Sequence, residues 1–171
     1  DPHALSARSR KDSTVKTIAA VAALLALMAL AAAILPPADA TAQQGLSIGV
    51  DADPSGNKAT SLRDIDQCVS VKKGDTFQVD VFITDVSDLK AWEAYFSFDG
   101  SIVNVTDRDV ELFQAANPDS DVFDPSESLP SSGGLYRLGG IDFGQADSGS
   151  GVLARLTLKA VGAGISPAIV L

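Results

Sequence analysis

Phe77-Gln-Val-Asp-Val-Phe-Ile-Thr84 decides the fold. Apolar side chains stand at 77, 79, 81 and 83 and polar ones at 78, 80 and 84, with Phe82 the exception. A period of two sends alternate side chains to opposite faces of an extended strand, so one face meets a core and the other meets water. Further along, Trp92, Ala94, Phe96 and Phe98 form an inner face, and Glu93, Tyr95 and Ser97 an outer one. Asp99-Gly100 turns the chain into Ile102, Val103 and Val105. Val152, Ala154, Leu156, Leu158 and Ala160 alternate again, and Leu46, Ile48 and Val50 do so near the start.

Shorter signals fill the gaps. Val69 and Val71 read as a short strand closed by the turn Lys73-Gly74-Asp75, Leu135–Leu138 as another, and Ala168–Leu171 as a closing one. Gly139-Gly140 suggests a bend or bulge. Val110–Gln114 fits a helical turn or a strand. Ala115–Gly134 is a long polar loop, a feature that either carries function or caps one end of the domain. No segment holds a helical period. Eight or nine short strands at this spacing predict an all-β fold, an antiparallel β-sandwich.

Residues 1–42 differ from the rest. Arg8, Arg10, Lys11 and Lys16 precede an unbroken apolar run from Ile18 to Leu35, which predicts a hydrophobic N-terminal helix. Pro36-Pro37 and the small-x-small signal Ala38-Asp39-Ala40 follow. This is the layout of a signal peptide cleaved after Ala40 or Ala42, with an uncleaved membrane anchor over residues 18–35 as the alternative. Either reading places residues 43–171 outside the cytoplasm, secreted or tethered to the outer membrane face, as one domain. Membrane contact is then confined to the N-terminal segment. That domain carries nine Lys and Arg against nineteen Asp and Glu, a net charge of −10. Such a surface repels nucleic-acid phosphates and anionic lipid and suits neutral or basic partners. Cys68 is the only cysteine and is expected to be buried.

Catalytic equipment is sparse. The one histidine, His3, falls in the leader, so the domain has no histidine base, histidine metal ligand or Ser-His-Asp triad. A glycosidase needs only two carboxylates, but a domain of this size leaves little room for a substrate cleft. Asp51-x-Asp53-x-Ser55-Gly56-Asn57 has the oxygen spacing of the first half of a calcium loop, which makes Asp51, Asp53, Ser55 and Asn57 candidate Ca2+ ligands. Leu62 stands where the bidentate Glu would be and Pro54 interrupts the backbone, so a polar turn explains the segment equally. Asp119, Asp121 and Asp124 form a second acidic cluster of the kind a solvated loop carries. Tyr95, Phe82 and Tyr136, if exposed and coplanar, would suit sugar stacking.

Three stretches together resemble cohesin domains. Val69-Ser-Val-Lys-Lys-Gly-Asp-Thr-Phe-Gln-Val-Asp-Val81 is similar to their early strands, and Trp92-Glu-Ala-Tyr-Phe-Ser-Phe-Asp-Gly-Ser-Ile-Val103 to the next strand and turn. Asp147-Ser-Gly-Ser-Gly-Val-Leu-Ala-Arg-Leu-Thr-Leu-Lys-Ala160, followed by Gly162–Leu171, is similar to their last strands. The likeness spans Leu46–Leu171. It implies a nine-stranded jelly-roll sandwich related to carbohydrate-binding modules and a non-catalytic role. The partner it implies is a dockerin module, in assemblies that attach polysaccharide-degrading enzymes to scaffolds or cell surfaces. It assigns partner contact to Glu93 and Tyr95, with Ala91 standing where the best-known class often has Asn. Direct polysaccharide binding and a structural or adhesion role are the alternatives.

Overall fold

The computed structural model describes residues 45–171. The leader or anchor over residues 1–42, with its helix over 18–35, lies outside the described residues. Eight strands follow one another: β1 (Ser47–Asp51), β2 (Thr76–Leu89), β3 (Ala91–Ser97), β4 (Val103–Asp109), β5 (Val122–Phe123), β6 (Leu135–Asp142), β7 (Asp147–Ala160) and β8 (Ile169–Val170). They make two antiparallel four-stranded sheets, ordered β1-β2-β7-β4 and β5-β6-β3-β8. The pairs β2–β7 and β3–β6 are nested one inside the other, as in a jelly roll.

The alternation in the sequence builds the core. Val79 and Val81 of β2, Ala154, Leu156 and Leu158 of β7, and Val103 and Val105 of β4 face Ala94 and Phe96 of β3 and Tyr136 and Leu138 of β6. Each fully buried side chain of this size contributes about 1.5–3 kcal/mol of transfer free energy. A smaller cluster of Ile83, Val86, Phe113 and Leu153 sits at one end. Leu153 reaches it because the β2–β7 register slips between Val81 and Phe82, which leaves Leu153 opposite no partner. Two further slips follow. They coincide with left-handed backbone at Asp85 (φ 52°) and Asp88 (φ 55°), whose amides donate to Ser150 Oγ and Ser148 Oγ at 3.0 Å each.

Five expectations need correction. Val69 and Val71 form no strand: they lie outside the eight strands of the described residues, a number within the eight or nine expected. Cys68, just before them, is exposed. Gly139 and Gly140 form no bulge; they pair in unbroken register with Glu93 and Trp92. They are glycine because a Cβ at 139 would stand 2.6 Å from Trp92 O, and one at 140 would meet side chains of Gln114 and Trp92. Asp80 does not face water: it is completely buried. The closing strand is two residues long, Ile169–Val170. The Val110–Gln114 ambiguity ends as a single 3-10 turn over Gln114–Ala116, and β5 lies within the long loop.

Candidate functional site

The two sheets present different exteriors. On the β1-β2-β7-β4 sheet, outward positions are mostly polar: Ser47 and Thr84 share a hydrogen bond of 2.7 Å, and Gln78 stands by Thr157. Phe82 also points outward here, but its ring lies over Gly49, where a Cβ would come within 2.6 Å of it. The β5-β6-β3-β8 exterior is largely apolar. Its outward register aligns Phe123 with Ile141 and Ala91, Gly139 with Glu93, Arg137 with Tyr95 and Leu171, and Leu135 with Ser97 and Ile169. Five large apolar side chains stand open to solvent there: Tyr95 38%, Leu135 49%, Ile169 52%, Phe123 54% and Leu171 73%.

One ionic knot sits among them. Arg137 Nη1 is 3.1 Å from Glu93 Oε2 and its Nε is 3.9 Å from Glu127 Oε1, while Nη2 donates to Pro125 O at 3.1 Å. The guanidinium thus sits between two half-exposed carboxylates. Beneath it, Tyr136 points inward and its hydroxyl donates to Glu127 O at 3.1 Å; burial raises the pKa of that phenol. Arg108 and Asp124 pair at 2.7 Å beside this region. Burial works against ionisation of Asp124, yet the Ser126 N–H and hydroxyl and the Arg108 guanidinium outweigh it and hold the carboxyl below its ordinary range. An exposed apolar face with a charged centre has the make-up of a surface that a complementary protein could cover.

Glu93 and Tyr95 therefore lie together on the exposed face, two residues apart on β3. Phe123, Leu135, Arg137, Ile169 and Leu171 share it without having been singled out. The signal for Leu135 and Arg137 was present, since inward Tyr136 and Leu138 force their neighbours outward. Nothing in the sequence announces that β5 and β8 flank β3 and β6.

The four loop residues Asp51, Asp53, Ser55 and Asn57 are held as follows. Asp51 is buried, and its carboxylate accepts the amides of Asp53 and Asp66 at 3.0 Å each and Asn57 Nδ2 at 2.8 Å. Asn57 Nδ2 also donates to Asp80 Oδ2 at 3.1 Å, and its Oδ1 accepts Arg63 N at 2.8 Å. Asp53 is exposed and accepts Ser55 N at 3.0 Å, a local turn that lowers its pKa. Asp51 and Asn57 thus brace the loop to the sheet, while Asp53 and Ser55 form a separate turn. Among the described residues no three acidic, Cys or His side chains are grouped to hold a metal ion. In the other acidic cluster, Asp124 pairs with Arg108 and Asp119 approaches Gln145 at 3.5 Å.

The proposed sugar strip does not form. Tyr136 is fully buried, and Phe82 and Tyr95 lie on exteriors of opposite sheets. A second apolar feature, an open cleft of about 860 Å³, runs between β1, the segment around Ile65–Val71 and the stretch Gly164–Val170.

No family model matches the chain. No curated protein matches it either. Solved structures similar to it are cohesin modules, the family its sequence resembles. A non-cellulosomal cohesin from the hyperthermophilic archaeon Archaeoglobus fulgidus is 19% identical over 52% of this chain, with a TM-score of 0.37, and the chain spans only 57% of that module. A type II cohesin of Acetivibrio cellulolyticus, solved as a complex with an X-dockerin, is 10% identical, covers 59% of this chain and 71% of its own, and has a TM-score of 0.46. The sixth cohesin of scaffoldin B from the same organism, solved with a Cel5 dockerin, is 15% identical over 75% of this chain and 82% of its own, again with a TM-score of 0.46.

Proposed function

We propose that this chain is a secreted, non-catalytic, cohesin-like binding module whose β5-β6-β3-β8 exterior docks a dockerin-type protein partner. The observation that carries the reading is the exposed apolar face around Tyr95, with Arg137 clamped between Glu93 and Glu127 at its centre. A docked partner would cover on the order of 800 Å² there. Tyr95 and Phe123 supply rigid apolar anchors, and the Glu93–Arg137 pair sets orientation rather than raw affinity. The sequence resemblance names the partner class and an extracellular setting of polysaccharide degradation or cell-surface assembly. Export rests on the leader-like residues 1–42.

Isothermal titration of the whole chain against a panel of calcium-loaded dockerins tests the docking. Binding to at least one, lost in Tyr95→Asp and Phe123→Asp variants that keep their circular dichroism, is the expected result. No binding across the panel by a folded chain removes the dockerin reading, and undiminished binding in both variants removes the face. N-terminal sequencing of the exported protein tests the leader: a start at Thr41 or Gln43 is expected, whereas an intact start in the membrane fraction establishes the anchor instead.

A further inference from the structure

The chain has three asparagines, and one of them opens an N-x-Thr sequence, Asn104-Val105-Thr106. Asn57 is followed by Lys58-Ala59 and Asn117 by Pro118-Asp119, so neither has a hydroxyl two residues on. In an exported chain, Asn-x-Ser/Thr with any residue but proline between them is the acceptor signal for an N-linked glycan. So short a motif recurs by chance, and its place in the fold decides whether it can serve.

Asn104 lies on β4 between Val103 and Val105, both buried in the core. Alternation therefore turns its side chain to the exterior of the β1-β2-β7-β4 sheet. Asn104 is partly exposed and Thr106 is exposed. Across the sheet Asn104 stands opposite Lys159 of β7, and Lys159 opposite Thr76 of β2, both exposed. A sugar on Asn104 would thus meet a polar row with no apolar side chain in it. With its amide turned to satisfy both groups, Asn104 Nδ2 donates to Gly100 O at 3.2 Å and Val103 O at 3.0 Å. Glycosylation consumes one of the two amide hydrogens and leaves the other for one of these bonds.

The order of the strands also favours access. β4 is an edge strand, and its neighbour in the sheet is β7. Thr106 Oγ1 donates to Thr157 O, 51 positions further along the chain. A chain exported from its N-terminus presents residues 104–106 well before β7 arrives, so the acceptor is still unpaired when it crosses the membrane. The other sheet, with Tyr95 and Phe123 outside, has no asparagine in any of its strands, so a glycan at Asn104 leaves that face uncovered.

We propose that Asn104 carries an N-linked glycan in the exported protein. The donor class is an oligosaccharide joined through C1 to a lipid phosphate or pyrophosphate, and a membrane oligosaccharyltransferase makes the transfer. The Nδ2–C1 bond forms as the bond from C1 to the phosphate oxygen breaks. The lipid phosphate leaves with the bonding pair, and one amide proton passes to a base of the transferase. The site rests on the export reading of residues 1–42 and is independent of the dockerin partner.

Trypsin isolates the site, because the peptide Ala91–Arg108 follows Lys90, ends at Arg108 and holds Asn104 as its one asparagine. Mass spectrometry of that peptide, from protein exported by its own cells, should show Asn104 carrying an oligosaccharide. In parallel, the whole chain is sent through the yeast secretory pathway behind a yeast signal sequence, whose removal reports entry independently of residues 1–42. There Asn104 should be glycosylated and Thr106→Ser should keep the glycan, whereas Asn104→Gln and Thr106→Ala should lose it completely. Unmodified Asn104 in the natively exported protein overturns the proposal. So does a glycan-free chain after entry in yeast, or a glycan at Asn104 that survives Thr106→Ala. Retention of the native chain in the cytoplasm removes the export reading and the native glycan with it, while the yeast arm still reports whether Asn104 is an acceptor.

Discussion

Asp80 occupies an outward position of β2 and is nevertheless shut away from water. Across the strand pair, Arg155 Nε and Nη2 donate to its two oxygens at 2.7 and 2.9 Å, and Asn57 Nδ2 adds a third bond. Removing one member of such a pair strands the other charge, which costs about 3–5 kcal/mol. Asp80→Ala should lose that much in urea denaturation. The double variant Asp80→Leu with Arg155→Met should lose clearly less, because no charge is left behind; equal losses would contradict this. Asp124 makes a pH prediction at the same scale. Its folded pKa lies below the unfolded one, so its stabilisation is present above the ordinary carboxyl range and fades as pH falls through the folded value. Melting temperature should fall on acidification below about pH 4, and Asp124→Asn should flatten part of that fall. A parallel acid limb in the variant would assign the loss to other carboxylates.

At the level of elements, strand alternation carried most of the fold. β2, β3 and β7 were legible because apolar side chains recur every second residue over long runs, and a one-residue slip would expose all of them. What stayed hidden depends on residues far apart in the chain. Asp80 reads as solvent-facing until Arg155, 75 positions later, is its neighbour. Val69 and Val71 look like a strand but find no backbone partner. Gly139-Gly140 looks like a bulge because glycine has no face to read; its reason lies in Trp92 and Gln114, which occupy the space a side chain would need. Hence Gly140→Ala should destabilise by about 1–3 kcal/mol through overpacking, while Gly133→Ala, with open space around its Cβ, should change stability little. Thermal melts of the two variants compare them directly, and similar values for both would refute the packing argument. Of the site, the two β3 residues were legible from register alone, whereas the flanks supplied by β5 and β8 required the sheet order.

For the whole molecule, the two sheet exteriors differ in what they leave open to solvent. An outward Phe82 is tolerated on one sheet because Gly49 lets its ring lie down against the backbone. On the other sheet Phe123, Leu135, Ile169 and Leu171 remain about half exposed or more. A contiguous exposed apolar patch of this kind fits the docking role proposed above. The isolated chain itself allows a test. Phe123→Ser with Leu135→Ser should bind an apolar-patch dye such as ANS several-fold more weakly than the parent, while its unfolding free energy shifts by no more than about 0.5 kcal/mol per site. Gln78→Ser with Thr157→Ser on the opposite exterior should leave dye binding as it was. If the first pair costs several kcal/mol, those side chains belong to the core and the face is not free to dock. Equal dye binding in both pairs would mean that the open cleft beside β1, rather than this face, is the molecule's exposed apolar surface.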